Sequence, residues 1–225
     1  MPKKTKRQMK EESNEIQKEY RLHFPLDNEQ IEVRQKILKN DITVLIGKAG
    51  SGKTAVACFT ALKMLAKGEV EKIIVCRPMV ANEDMGYLKG SLEEKYLPWC
   101  KPIVQNFNKM CNPKTIEYMM NKDIIEMLPL QFTRGVTYDN ACMILDEAQN
   151  TTPQQLKLIF TRIGEGSRII AVGDLDQCDL KKTSDSGLFK IRDFKVENME
   201  IIELHNEHRK KIVIDLLEEF KRIGY

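Results

Sequence analysis

The sequence predicts an α/β fold, in which a parallel sheet carries helices on both faces of a single domain with a helical insertion. Short apolar runs typical of buried parallel strands occur at 42–46, 72–76, 141–145 and 168–172. Segments with helical spacing lie between these runs, and a glycine-rich segment joins the first run directly to a helix. In such a sheet the loops after the strands meet at one edge, where ligands bind.

The glycine-rich segment at 47–54 matches the pattern G-x-x-x-x-G-K-[ST]. Its glycines let backbone N–H groups turn inward around a phosphate chain, and the following helix adds partial positive charge. We expect Lys53 to reach the β- and γ-phosphates of ATP, and the Thr54 hydroxyl to hold Mg²⁺. The alternative is an ordinary glycine-rich turn. The predicted nucleotide-binding residues of this loop are Gly47, Lys48, Ala49, Gly50, Ser51, Gly52, Lys53 and Thr54.

Composition limits the class of protein. The chain has 225 residues, of which 42% are hydrophobic and 31% charged, and its net charge is +3. No apolar run approaches the length of a membrane span, and the six cysteines form no C-x-x-C pair, so we expect a cytoplasmic protein with reduced thiols. The composition of residues 1–22 predicts a flexible charged tail, and the alternative is a basic arm that binds nucleic acid. We expect residues 23–225 to form the domain.

The helical insertion is predicted at about 80–128. Its amphipathic run at 92–110 contains Pro98 and Pro102, which predict a kink or two shorter helices. Because inserted segments commonly carry specificity, substrate recognition could lie here. Further along, the pattern predicts a helix and a short strand, at 113–121 and 124–130.

The remaining elements flank the apolar runs. A helix from about 29 to 39, capped by Asp27 or Asn28, precedes the first strand. Another begins at Pro153 and ends near Ile163, before Gly164. The later elements are a short helix, a strand and a terminal helix, at about 187–191, 201–204 and 210–223. The terminal helix carries an apolar face of Ile212, Val213, Leu216, Leu217 and Phe220.

Polar residues follow two of the later strands. Asp146 and Glu147 come directly after 141–145, which we expect to neighbour the strand of the phosphate loop. In that arrangement Asp146 binds Mg²⁺ and Glu147 is the general base for a water that attacks the γ-phosphate, whereas two solvated acids are the alternative. Gln177 follows 168–172 and could bind the γ-phosphate or that water, unless Gly173-Asp174 is a simple turn.

These motifs, in this order, resemble the PhoH family of P-loop ATPases over about 24–223. The residues that carry the resemblance are Asp146 to Thr152, Gly173-Asp174 with Gln177, Arg77-Pro78, Gly86-x-Leu88-x-Gly90, Arg134-Gly135 and Ser186-Gly187-Leu188. The family is similar to the first RecA-like domain of superfamily-one helicases. That similarity implies that Gln30 contacts adenine, that Gln177 is the motif III glutamine, and that Arg209 approaches the γ-phosphate. Departures from the family pattern occur at Lys48, Met79 and Lys210-Lys211.

An arginine from a second domain or subunit usually completes a RecA-type site. Because 225 residues leave no room for a second such domain, we expect a homo-oligomer that supplies the arginine in trans, with a hexameric ring favoured. The resemblance to PhoH proteins points the same way. The candidate arginines are Arg134, Arg162, Arg168 and Arg209.

Single-stranded nucleic acid, with RNA favoured over DNA, is the expected partner. Arg77 lies in the segment that contacts single strands in superfamily-one proteins, and Arg134 lies in a turn before Asp146. Tyr87, Phe132 and Tyr138 could stack on bases. The alternative is that Arg77 pairs with a carboxylate and the aromatic residues pack. Structural or surface roles are predicted for Trp99, His23, His205 and His208.

The predicted function is therefore that of a Mg²⁺-dependent ATPase whose hydrolysis is coupled to single-stranded nucleic acid, with helicase-like unwinding left open. One alternative is a binding protein switched by ATP with slow turnover. A weaker alternative is a ribonuclease, which is disfavoured because the obvious acidic metal cluster is already assigned to the nucleotide.

Overall fold

Six strands form the sheet in the computed structural model, which describes residues 22–79 and 92–224 without the side chains of 92–95. The predicted tail at 1–22, apart from Leu22, and the family motif at 86–90, including Tyr87, lie outside the described residues. In chain order the strands are β1 (Ile42–Gly47), β2 (Lys72–Arg77), β3 (Ile125–Pro129), β4 (Ala141–Leu145), β5 (Arg168–Gly173) and β6 (Met199–Leu204).

The α-helices of the described residues lie before, between and after these strands, with two between β2 and β3 and none between β3 and β4. They are α1 (Asn28–Lys39), α2 (Lys53–Ala66), α3 (Leu92–Met110), α4 (Pro113–Asn121), α5 (Pro153–Phe160), α6 (Gly187–Ile191) and α7 (Lys211–Arg222). Within the described part of the chain, none of these helices is both long and apolar enough to cross a membrane.

The strands pair in the order β3-β2-β4-β5-β1-β6, and every pair is parallel. β5 therefore separates β4 from β1, and the expectation that the Asp146 strand neighbours the phosphate-loop strand is wrong. The order of strands in the sheet depends on pairing between segments distant in the sequence, and a local sequence pattern does not predict that pairing. The carboxyl ends of β1, β5 and β4 still lie side by side, because the register pairs Leu45 with Val172 and Ala171 with Leu145.

Apolar side chains cover both faces of the sheet. Leu45 packs in a cluster with Val33 of α1 and Leu62 of α2, whereas Val44 points to the opposite face. There it packs in a cluster with Leu156 of α5. Because successive residues of a strand point to opposite faces, a continuous apolar run is what a sheet covered on both sides requires. The predicted α/β class, with helices on both faces, is confirmed.

Residues 92–110 form one helix, so of the two expected outcomes the division into two shorter helices is wrong, and the kink stays a prediction. α3 continues through Pro98 and Pro102, and both prolines are exposed. Its core-facing side buries Phe107, Ile103 and Tyr96 completely. Burial of that apolar face offsets the backbone hydrogen bonds that the prolines remove. α5 also differs from its prediction, because it ends at Phe160 and not near Ile163.

The terminal helix α7 contributes no buried residue. Its predicted apolar face is present, but Leu216 is 51% exposed and Phe220 is 53% exposed. Large apolar patches of this kind on a protein surface mark interaction sites.

Candidate nucleotide-binding site

The phosphate loop connects β1 to α2 with two glycines in left-handed backbone conformations, at φ +96° for Gly50 and +81° for Gly52. Side chains from distant parts of the sequence lie close to both glycines. A Cβ atom at Gly52 would collide with Gln30 Nε2, and one at Gly50 would lie 2.8 Å from Arg209 Nε. Both positions therefore require glycine. The short distances also show that Gln30 and Arg209 lie directly against the loop.

Lys53 lies inside the loop and is only 8% exposed. Its Nζ donates hydrogen bonds to the carbonyl oxygens of Gly47, at 2.6 Å, and Lys48, at 2.8 Å. Burial lowers the pKa of Lys53, and the neighbouring charge of Arg209 acts in the same direction. Asp174, Glu147 and Asp146 oppose that shift with their negative charges. The ammonium group thus lies where the loop would enclose the phosphates.

Asp146 and Thr54 form the predicted cation site. Thr54 Oγ1 donates a hydrogen bond of 3.3 Å to Asp146 Oδ1, which joins the end of β4 to the start of α2. Burial raises the pKa of Asp146 to about 6, assisted by the charge of Glu147 and opposed by Arg77 and by the Thr54 hydrogen bond. A hydroxyl beside a carboxylate is a donor set that suits Mg²⁺, which prefers oxygen ligands and completes its shell with water and phosphate oxygens. The residues present therefore fit this metal ion.

Glu147 has an unusual backbone conformation for a residue other than glycine, with φ of +52°. Such a conformation costs roughly 1–3 kcal/mol and is found preferentially at functional sites. Its carboxylate is held on both sides. Oε1 accepts a hydrogen bond of 3.2 Å from Arg77 Nη2, and Oε2 accepts one of 2.5 Å from Gln149 Nε2. The carboxylate of the expected general base is thus fixed beside Asp146.

Arg77 lies among carboxylates in this structure. Besides its bond to Glu147, its Nη1 lies 3.8 Å from Asp146 Oδ2 and donates to the carbonyl oxygen of Trp99 at 2.8 Å. Of the two interpretations of Arg77, the structure matches the carboxylate pair. Trp99 therefore contributes to the site through its backbone, as a structural residue.

Gln149 is a site residue for which the sequence analysis assigned no role. It is buried, and its Oε1 accepts a hydrogen bond of 3.1 Å from the backbone N–H of Asp174. Its Nε2 donates to the carbonyl oxygen of Gln177 at 3.2 Å, as well as to Glu147. The amide thus ties Glu147 to the loop after β5. The sequence offered one sign of this role, because Gln149 lies three positions after the buried Asp146 that follows β4. Its partners, however, lie 25 and 28 residues away in the sequence.

His208 was predicted to be structural or on the surface; its side chain is 40% exposed, and it also lines the cavity beside Gln30. Its Nε2 lies 3.1 Å from Gln30 Nε2 and 3.1 Å from Asp27 Oδ2. Gln30 is buried, and its Oε1 accepts from the backbone N–H of Asp27 in a capping box at the start of α1. This corner lies next to the phosphate loop, against Gly52.

The four candidate arginines occupy different places. Arg209 lines the cavity in the same chain as the phosphate loop, so it does not need a second subunit to reach it. Arg162 donates to the carbonyl oxygen of Val136, and Arg168 donates to that of Leu38. Arg134 is exposed in the turn after β3.

Side chains of the phosphate loop, of the acidic end of β4 and of the segment after β6 converge on one cavity of about 400 Å³. That volume lies in the range of small-ligand sites, about 300–1,000 Å³. Gln177 is exposed at its rim, and Asn106 of α3 also borders it. The remaining lining residues are Ala49, Gly50, Gly52, Lys53, Thr54, Ala55, Asp146, Glu147, Val172, Gly173, Asp174, His208 and Arg209.

Comparison with known proteins agrees with the motifs. The family model described as "PhoH-like protein" matches residues 24–221. The chain is 39% identical over 189 residues to the "PhoH-like protein" of Bacillus subtilis (strain 168), covering 82% of this chain and 59% of that relative. It is 36% identical over 162 residues to "Protein PhoH" of Escherichia coli (strain K12), covering 71% and 46%. The chain thus spans about half the length of these relatives.

Among solved structures, the large terminase from a thermophilic bacteriophage is similar, with a TM-score of 0.54 and 10% identity over 90% of this chain and 51% of that one. The same terminase in complex with ADP gives a TM-score of 0.52 and 10% identity, covering 89% and 50%. Identity this low shows the fold alone, and that fold is the predicted RecA-like P-loop architecture. With the family model covering nearly all of the described domain, the chain belongs to the PhoH-like protein family.

Proposed function

We propose that this chain is a Mg²⁺-dependent ATPase that hydrolyses ATP in the cavity at the carboxyl ends of β1, β5 and β4. The observation that carries the proposal is the convergence of Lys53, Asp146 and Glu147 on that one cavity. Phosphoryl transfer to water needs a cation for the phosphates, oxygen ligands for a divalent metal ion and a carboxylate near the attacking water. The three side chains supply these groups in that order.

Each side chain of the cavity has a separate role in the proposed hydrolysis. Lys53 exchanges the carbonyl oxygens of its own loop for β- and γ-phosphate oxygens, and Arg209 adds a second positive charge at the loop. Glu147 orients the attacking water and accepts its proton, with Gln177 beside it at the rim. Thr54 and Asp146 would hold Mg²⁺, which neutralises phosphate charge when it is bound.

The base end of ATP is assigned to Gln30. The capping box fixes the direction of its amide, because Oε1 accepts from the backbone of Asp27, and the amide NH₂ group is left toward His208 and the loop. An amide held in this way can distinguish bases by their hydrogen-bonding edges.

Hydrolysis is proposed to be coupled to single-stranded nucleic acid, RNA in preference to DNA. Arg134 is exposed, and the nearby Phe132 is 55% exposed. An exposed cation near an exposed aromatic ring is the combination that binds single strands by charge and stacking.

Single-stranded RNA is expected to raise ATP turnover several-fold at about 50 mM salt and to lose that effect at about 200 mM, because binding releases counterions from phosphates. The measurement is steady-state phosphate release with RNA and DNA ligands at both salt concentrations. R134A should reduce the stimulation, and K157A, which removes an exposed lysine on α5, should not. Unchanged turnover together with absence of binding at low salt would refute the coupling.

A homo-oligomer, with a hexameric ring favoured, is also proposed. The exposed apolar face of α7 supports a subunit contact, and Arg134 is the exposed candidate for an arginine offered to a neighbouring site. Light scattering with ATP and Mg²⁺ should give a mass several times that of the 26.1 kDa chain. L216E on α7 should lower that mass. A monomer with full turnover would exclude the trans arginine.

One observation favours the alternative of an ATP-switched binding protein. Lys53 has protein partners in the structure, the carbonyl oxygens of Gly47 and Lys48, and it must exchange them for phosphate oxygens when nucleotide binds. Such an exchange can report nucleotide state without fast turnover.

A further inference from the structure

We propose that Glu29 is a positioning residue, which fixes Arg209 on the phosphate loop by holding residues 205–209, the segment that follows β6. We call this segment the strap. The inference rests on the proposed function, because it assigns to Arg209 a role at the phosphates. Glu29 itself does not line the cavity, so it would act through the strap and not on the nucleotide.

Glu29 accepts hydrogen bonds from the start of the strap with both carboxylate oxygens. Oε1 accepts a hydrogen bond of 2.9 Å from the backbone N–H of His205, and Oε2 accepts one of 3.0 Å from that of Asn206. Asp27, at the cap of the same helix, accepts a third from Asn206 Nδ2 at 3.0 Å. A charged acceptor on two consecutive backbone donors is a strong and directional contact. The first turn of α1 therefore determines where the strap leaves β6.

The far end of the strap is attached to the phosphate loop. The backbone N–H of His208 donates to the carbonyl oxygen of Gly50 at 3.0 Å, and the next residue places its Arg209 side chain against the same glycine. His208 also contacts Gln30 of α1. The strap thus spans from Glu29 to the loop, and the contacts described at both ends are polar.

Two features make the strap dependent on these anchors. The side chains of His205 through His208 are exposed, so apolar burial does not hold them in place. The ion pair of Arg209, 3.7 Å from Nε to Glu207 Oε1, lies within the strap, so it moves with the strap and does not attach it to α1. The carboxylates of Glu29 and Asp27 make that attachment. Since Gln30 follows Glu29, the same turn of helix carries both the base contact and the anchor.

The test is a double-mutant cycle between Glu29 and Arg209. In E29Q the shape of the side chain is kept, but its NH₂ group faces a backbone N–H and one of the two acceptors is lost. We expect kcat/KM for ATP to fall about tenfold in E29Q, and to fall no further when E29Q is added to R209A. E32Q, which changes an exposed glutamate on the same helix, is the matched control and should match the wild type.

A second readout separates this inference from the proposed ATPase activity. The affinity for a fluorescent ATP analogue is measured in the same five proteins, so the cycle can be closed even if the wild type hydrolyses no ATP. Thermal unfolding is measured alongside, because a merely structural Glu29 would lower stability and act additively with R209A. The inference is overturned if E29Q behaves like E32Q in both assays, or if it weakens R209A as much as it weakens the wild type.

Discussion

Replacement of Glu147 by glutamine is expected to lower kcat for ATP hydrolysis by about 10²–10⁴-fold. The amide cannot accept a proton from water, although it keeps the shape of the carboxylate and can still accept from Arg77. ATP binding should be retained, because Lys53 and the loop are unchanged. The measurement pairs steady-state phosphate release with the affinity for ATP in the presence of Mg²⁺.

E165Q, which changes an exposed glutamate in the loop before β5, is the control and should hydrolyse ATP at the wild-type rate. If the wild type and E147Q hydrolyse ATP equally slowly, yet both bind it and assemble with it, the chain is an ATP-switched binding protein. In that case Glu147 holds its neighbours in place and does not activate water.

Replacement of Asp146 by asparagine is expected to abolish Mg²⁺-dependent hydrolysis and to stabilise the nucleotide-free protein. Burial raises the pKa of Asp146 from 3.8 to about 6, so the folded state holds its proton to a higher pH than the unfolded chain does. Stability is therefore lost as pH rises from about 4 to about 6, and the loss is complete at pH 8. The asparagine side chain stays neutral, so D146N avoids that loss. Its free energy of unfolding at pH 8 should exceed that of the wild type by about 1–3 kcal/mol, once the weakened contacts to Arg77 and Thr54 are included.

Thermal unfolding without nucleotide or metal ion checks this prediction. D146N should unfold at a higher temperature than the wild type at pH 8, by about 2–4 °C for each kcal/mol gained. The difference should shrink at pH 5, where the wild-type carboxyl is largely protonated in the folded state. D193N, at an exposed aspartate beside Arg192, should leave the unfolding temperature unchanged at both pH values. A lower unfolding temperature for D146N at pH 8 would show that Asp146 is stabilised by its neighbours.

Local patterns in the sequence predicted several elements of the fold. β4, α4 and α6 have the expected bounds, and the features that set them are local: a continuous apolar run in β4, Pro113 at the start of α4 and, as the structure shows, Ser186 as the N-cap of α6. The phosphate loop lies between a strand and a helix for the same reason. The division into two shorter helices at Pro98 and Pro102, one of the two expected outcomes, was wrong because burial of residues such as Tyr96 stabilises the continuous helix, and the proline rule does not include that burial.

Contacts between distant segments account for what the sequence did not predict. Glu29 and His205 are separated by 176 positions, and their bond is to a backbone N–H, which leaves no complementary side-chain pattern to find. Gln149 connects two strand ends whose adjacency depends on the position of β5 between β4 and β1. Arg77 was assigned two interpretations, since its partners Asp146 and Glu147 reach it only through the pairing of β2 with β4.

The hydrogen bonds from Lys53 to the carbonyl oxygens of Gly47 and Lys48 have a consequence for the thermodynamics of binding. A loop wrapped around its own cation is already ordered before the nucleotide arrives. Its loss of conformational entropy then belongs to folding and not to association, and preorganisation of this kind favours tighter binding. The same bonds must break as phosphate oxygens enter, so part of the enthalpy gained at the ammonium group is offset by the two carbonyl contacts it gives up.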